Sequence, residues 1–309
     1  MRIAHLGHVE LRVPDLAASR AFFTETMGLF VSAEEDGRIH LRAWQDFDRH
    51  TLVLTQAGEA ALGRIAWRVE APEDLDRFAA HLARLGVDVE EVPAGSEPGQ
   101  GRTLRFRSPE DHLLELFYEI ERWKERDPAL ASDVLVHPQR FVGRGVAPRR
   151  IDHVTVLGRD VEALQRWLTE ALGIRLNYFT EDEGGAMSAA WMSTNPLTHQ
   201  IAIIRASEPG QTLHHLAYAV DSPDEVMRAA RLLVDGGTPI EWGPGIHGTS
   251  GGMFLYFREP SGHRMEVWSG AMLLLAPDWE PRRWAPEPFR ALGGNLFDAA
   301  PPAGFRSGT

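Results

Sequence analysis

The chain has 309 residues, enough for about two domains, and its 43% hydrophobic and 25% charged side chains are the proportions of a globular protein with ample core material. A formal net charge of −12 argues against nucleic acid or an anionic membrane surface as a partner, and no run of about 18 apolar residues is present to span a bilayer. Cysteine is absent, which excludes disulfides and leaves only nitrogen and oxygen donors for any metal.

The N-terminal stretch MRIAHLGHVELRVPDL alternates as a strand and lacks the apolar core of a secretory signal, so a cytoplasmic location is the default expectation. From His8 the alternation passes into a helical stripe that stops at Gly28. A strand follows His50 in RHTLVLTQAGE. GRIAWRVEAPEDL at 63–75 leads into the helix LDRFAAHLARLG at 75–86. RTLRFRSPEDHLLELF closes the series and holds Glu115 inside an apolar run. A charged, proline-containing connector occupies 121–146, and then the same order begins again.

HVTVLGRDVEALQRWLTEALGI from His153 matches the segment from His8. Each has Asp seven residues after the His (Asp15, Asp160) and Gly twenty residues after it (Gly28, Gly173). Val161, Leu164, Leu168 and Leu172 form the apolar stripe of the second copy. THQIAIIRASE near His199 matches the strand after His50, HHLAYAVDSPDEV at 214–226 matches 63–75, and GMFLYFREPSGHRMEVW matches the closing strands through Pro109 and Pro260. Arg64 to Glu115 and His215 to Glu266 are both 51 residues apart. The fold expected is α+β, with tandem duplicated domains of two βαβββ modules each. Domain one is placed at 1–120 and domain two at 147–270; a tail at 271–309, rich in Pro, Trp and Arg, wraps a surface.

A carboxylate buried in an apolar strand is costly unless it is paired or bound to a metal. In domain two the repeat places His153, His215 and Glu266 on three separate strands. Two imidazoles and one carboxylate form the facial triad of non-haem Fe(II) oxygenases, which leaves adjacent coordination positions open. In domain one the same positions are His8, Arg64 and Glu115. Arginine is donor-only and cannot ligate a metal, so His8 and Glu115 are structural remnants and Arg64 and Glu115 an expected ion pair. His214 rivals His215, but alternation points neighbours to opposite faces and the repeat selects His215.

The segment from Gly245 to Glu266 resembles the signature of the type I extradiol ring-cleaving dioxygenases of the vicinal oxygen chelate superfamily, through His247, Leu255-Tyr256, Glu259-Pro260, Gly262 and Glu266. MRIAHLGHVELRVPDL and LRAWQDFDRHTLVLT resemble the N-terminal domain of catechol 2,3-dioxygenases. The resemblance implies the glyoxalase-like fold, a mononuclear Fe(II) or Mn(II) centre, a small aromatic diol and O2 as substrates, meta cleavage to a semialdehyde, and a homotetramer. It also implies that His199 is an acid–base residue and that His247 and Tyr256 bind the substrate oxygens. Thr155, where a neighbouring branch of the family often carries Asn, is expected to line the cavity. Trp191, Met192, Phe254 and the tail are candidate walls, with Arg282–Trp284 a candidate lid. EWGPGI, ahead of His247, carries no cation, which favours catechol or an alkylcatechol over a carboxylated one. The competing readings are a glyoxalase-type metal-dependent lyase or isomerase and a non-enzymatic small-molecule-binding protein of the same fold.

Overall fold

The computed structural model describes residues 1–297 and 300–309. The first half contains β1 (Ile3–Val13), β2 (Phe30–Glu35), β3 (Arg38–Arg42), β4 (Leu52–Gln56), β5 (Ala61–Val69), β6 (Glu90–Val92), β7 (Thr103–Arg107) and β8 (Leu113–Phe117). Helix α1 (Leu16–Ala21), continued by a π turn at Phe22–Thr26, follows β1, and α2 (Glu73–Arg84) follows β5. These are two successive βαβββ modules. They form one sheet in the order β2-β3-β4-β1-β5-β8-β7-β6.

The second half repeats the pattern with β9 (Arg150–Gly158), α3 (Val161–Leu172), β10 (Arg175–Glu181), β11 (Met187–Ser193), β12 (Ile201–Arg205), β13 (Leu213–Ala219), α4 (Pro223–Asp235), β14 (Ile240–Ile246), β15 (Met253–Arg258) and β16 (Arg264–Ser269). A short strand from the tail, β17 (Arg282–Trp284), adds to the edge, giving the order β14-β15-β16-β13-β9-β12-β11-β10-β17. Arg282–Trp284 is thus an edge strand paired with β10; the cavity described below is flanked by later tail residues.

The same local chemistry starts the first helix of each half. Asp15 and Asp160 each accept a hydrogen bond from the backbone N–H three residues on, at 2.9 Å, and so act as N-caps. Val161, Leu164, Leu168 and Leu172 are all buried in the core, and Gly173 ends the helix at φ +71°. Central strands β9 and β13 are buried along almost their whole length, because helices cover one face and the other lines an interior cavity.

The halves meet through a reciprocal contact. His112 bonds the carbonyl of Leu157 at 2.9 Å, and His263, its counterpart in the repeat, bonds the carbonyl of Arg12 at 2.8 Å. One contiguous cluster of buried apolar side chains runs through both halves. No helix among the described residues is long and apolar enough to cross a membrane.

Candidate metal centre

Sheet register assembles the site. Glu266 on β16 lies beside Ala217 on β13, which lies beside His153 on β9. His215, two residues before Ala217, presents its side chain to the same face. Ala217 is small, so the three longer side chains converge above it. Tyr256 on β15 sits directly opposite Glu266. His247 follows β14, and His199 stands two residues ahead of β12, not within a strand. Four adjacent strands, β15, β16, β13 and β9, therefore contribute one side chain each to a single place, and the ends of the flanking strands β14 and β12 bring His247 and His199 beside them.

His153 Nε2 and His215 Nε2 are 3.2 Å apart, and they lie 2.9 and 3.1 Å from the same oxygen of Glu266. This small triangle is the size of one face of a ligand shell with bonds of about 2.0–2.2 Å. All three residues are buried. Neither Glu266 oxygen has a hydrogen bond of proper geometry, which is costly for a carboxylate at 0% exposure unless a cation satisfies it. Burial disfavours an imidazolium at His153, but Asp152 and Glu266 outweigh it and raise the pKa to about 9. His215 goes the other way, burial outweighing Glu266 and lowering its pKa to about 4, so one proton at most sits between the imidazoles, and a divalent ion would supply the charge that the buried carboxylate lacks. Among the described residues this is the one group of three or more His, Asp or Glu side chains with ligand atoms close enough for a shared metal.

Sequence reasoning did not anticipate how the imidazoles are held. Asp152 Oδ2 is 2.9 Å from His153 Nδ1, and Asp152 is itself paired with Arg150 at 2.7 Å. His214, considered above as a rival ligand, places its Nδ1 2.6 Å from His215 Nδ1. Thr155 Oγ1 is 3.1 Å from His215 Nε2 and lines the cavity.

A cavity of about 480 Å³ opens over this face. Its walls include Tyr178, Trp191, Trp242 and Trp268, and tail residues between Phe289 and Asn295 and between Ala300 and Arg306 add to its lining. Met192 instead packs in the core and Phe254 stacks on His247 at 3.9 Å, so neither lines the cavity. Arg290 and Arg306 stand at the mouth, with Arg290 paired to Glu183.

His199 is buried, with its ring 4.1 Å from that of His153. Burial and the neighbouring His153 lower its pKa well below the usual value, so it is neutral. Tyr178, which the sequence did not single out, places its hydroxyl 3.3 Å from His199 Nδ1. His247 Nδ1 lies 2.6 Å from the carbonyl of Gly294; a carbonyl only accepts, so Nδ1 carries the proton and Nε2 is left to accept from the Tyr256 hydroxyl at 3.1 Å. Burial and the Glu266 charge raise the Tyr256 pKa well above its usual value and keep it a donor.

The profile of the Glyoxalase/Bleomycin resistance protein/Dioxygenase superfamily matches residues 150–267. That of the catechol 2,3-dioxygenase-like N-terminal domain matches 63–121. The chain is 38% identical over 286 residues to the manganese-dependent 2,3-dihydroxybiphenyl 1,2-dioxygenase of Geobacillus genomosp. 3, which covers 91% of this chain and 90% of that protein. It is 33% identical over 304 residues to the metapyrocatechase of Geobacillus stearothermophilus, covering 97% and 91%. The solved homoprotocatechuate 2,3-dioxygenase of Brevibacterium fuscum, in complex with 3,4-dihydroxyphenylacetate, superposes with a TM-score of 0.86 at 28% identity, covering 98% of this chain and 91% of that one. The chain belongs to the type I extradiol ring-cleaving dioxygenases, the catechol 2,3-dioxygenase-like branch of the vicinal oxygen chelate superfamily.

Proposed function

We propose that the protein cleaves a monocyclic catechol beside its diol with dioxygen, giving a 2-hydroxymuconate-semialdehyde-type product, at one Fe(II) held by His153, His215 and Glu266. The observation that carries this reading is the buried triangle of two imidazole nitrogens and one carboxylate oxygen within 2.9 to 3.2 Å of each other at the floor of the cavity. Such an ion supplies adjacent open positions where a diol and dioxygen meet, with a route for electron density between them. Mn(II) is the second candidate, because the relative at 38% identity is manganese-dependent.

The other roles follow from hydrogen bonding. His247 Nε2 is the base that takes a diol proton, since Nδ1–H is committed to Gly294. Tyr256 donates to a substrate oxygen. A donated bond from Tyr178 to His199 Nδ1 leaves the His199 proton on Nε2, where it would donate a hydrogen bond to charge developing on a bound oxygen, and a proton passed from the Tyr178 hydroxyl to Nδ1 would have to accompany any proton released from Nε2. The aromatic walls exclude water from the reaction. Of the two arginines on the lining, Arg290 is already paired, and the uncharged walls that surround the ligand triangle favour an uncharged ring substituent. In this reading 1–120 is a non-metal domain, 121–146 a connector, 147–270 the catalytic domain and 271–309 a tail whose residues 289–295 and 300–306 flank the cavity. A homotetramer in the cytoplasm completes the reading; size-exclusion chromatography and fractionation test it.

The decisive assay loads the anaerobic protein with Fe(II) or Mn(II), adds catechol, and then admits air. A yellow ring-opened product is expected. Its absence with catechol, 3,4-dihydroxyphenylacetate and 2,3-dihydroxybiphenyl alike would refute the dioxygenase reading, and turnover of a hemithioacetal would support the lyase alternative. Higher kcat/KM for catechol than for 3,4-dihydroxyphenylacetate is the expected order.

A further inference from the structure

For a neutral imidazole to offer Nε2 to a metal, its proton must sit on Nδ1, and an acceptor must hold it there. His153 has such an acceptor in the Asp152 carboxylate. His215 has a different one. Its Nδ1 faces His214 Nδ1 at 2.6 Å, and His214 can accept there only if its own proton is on Nε2. That nitrogen lies 2.7 Å from the main-chain carbonyl of Phe305. A carbonyl only accepts, so the whole series is fixed in one sense, with Nε2–H of His214 toward Phe305 and Nδ1–H of His215 toward His214.

Phe305 belongs to the tail and is firmly seated. Its ring packs 5.0 Å from that of Tyr256 and 4.4 Å from the Arg264 guanidinium. Beyond it, Arg264 donates to the Ser307 carbonyl at 2.9 Å, and Thr309 exchanges two backbone bonds with Leu213 at 3.0 and 2.7 Å. The tail therefore grips β13 immediately before the ligand. A β-bulge at His214 makes this possible: the register slips between Leu213 and His215, which allows consecutive side chains to approach each other.

The other half of the chain provides an independent comparison. It has bulges at the matching places, between Leu6 and His8 and between Glu10 and Leu11, but the residues there are Gly7 and Gly63. A Cβ at Gly7 would lie 2.5 Å from Phe117 Cζ, and one at Gly63 would lie 2.6 Å from Glu10 Cγ. The half whose His215 counterpart is Arg64 thus lacks a residue that could orient either imidazole position.

We propose that His214 is a positioning residue through which the docked tail, residues 305–309, holds His215 in its metal-binding tautomer, so that tail docking and metal affinity are coupled. This rests on the reading of His215 as a ligand.

The test measures Mn(II) affinity of the full chain by chelator competition, anaerobically. His214→Phe fills the space without an acceptor and should weaken binding about 10- to 100-fold, the usual loss for an outer partner of a ligand. His214→Gln, whose amide can both accept and donate, should restore affinity to within about threefold of the wild type. Phe305→Ala, which loosens the tail and touches no ligand, should weaken binding several-fold. In the Zn(II)-loaded protein the 15N signals of His215 should show the proton on Nδ1. Wild-type affinity in His214→Phe, or equal weakness in His214→Gln and His214→Phe, overturns the coupling while leaving the ligand reading intact. A wild-type protein that binds no Mn(II) overturns both. If His214→Phe does not fold, unchanged affinity in Phe305→Ala overturns the proposal.

Discussion

Ala66 and Ala217 occupy matching places at the middle of the two sheets, each flanked by a buried glutamate and a buried histidine. What surrounds them differs. Around Ala217 stand His215, Thr155 and Tyr256; at the matching positions around Ala66 stand Arg64, Glu10 and Arg105. The Arg64 guanidinium makes ion pairs with Glu10, Glu97 and Glu115, and Arg105 holds the other oxygen of Glu115 at 2.7 Å. One half neutralises its buried carboxylate with fixed covalent cations; the other leaves its carboxylate facing two imidazoles. The same strand geometry therefore supports either a closed charge network or an open site, and the choice is made at a few side chains.

Paired substitutions can break this contrast. Glu266→Gln should abolish metal binding and product formation. Glu115→Gln should retain both while lowering stability by about 3 kcal/mol, as expected when a buried pair is broken; metal analysis and thermal unfolding separate the two results, and metal loss in Glu115→Gln would contradict the assignment of one site. Arg64→His supplies the donor type missing from the first half. No second metal equivalent is expected, because Glu10 loses its ion-pair partner, Glu97 stays engaged by Arg38 and His40, and Gly7 and Gly63 provide no orienting side chain; a stoichiometry of two would show that the single change is sufficient. Tyr256→Phe should lower kcat about a hundredfold at unchanged metal content, whereas Arg105→Leu should leave kcat unaltered.

A separate effect concerns pH. His50 is buried near His8 and His40, and burial together with His40 lowers its pKa to about 3. The unfolded chain takes up this proton below about pH 6.5, while the native state does not until about pH 3. The stability from a neutral His50 is thus complete above pH 6.5 and declines as pH falls toward 3, by up to about 1.4 kcal/mol per pH unit. His50→Gln should flatten the stability–pH curve between pH 6 and 4 by as much as one proton. An unchanged slope in denaturant titrations would refute the buried neutral imidazole.

Much of this was legible because duplication gives one sequence two readings of the same strands. The repeat showed two βαβββ modules per half and aligned Glu266 with Glu115 and His215 with Arg64. The contribution of Asp152 and His214 was not legible. Both adjoin the ligands in sequence, and strict alternation assigns them to the opposite face; a bulge at each place undoes that rule, and no residue pattern announced the bulges. Tyr178 was missed because alternation gives a face but not which strand will lie beside His199. The tail misled for another reason. It has no hydrophobic period, so Arg282–Trp284 read as a lid when it is an edge strand.

The reciprocal contacts of His112 and His263 bear on how the chain works as an assembly. An interface in which each side offers the other the same groups is the geometry of a two-fold dimer. Here one chain supplies both sides, and the connector makes their association intramolecular, at an effective concentration of order millimolar. The first half then serves as a tethered subunit whose contact surface is what its partner uses. Its own centre is released from that duty, which is why an arginine can stand where the other half needs a histidine.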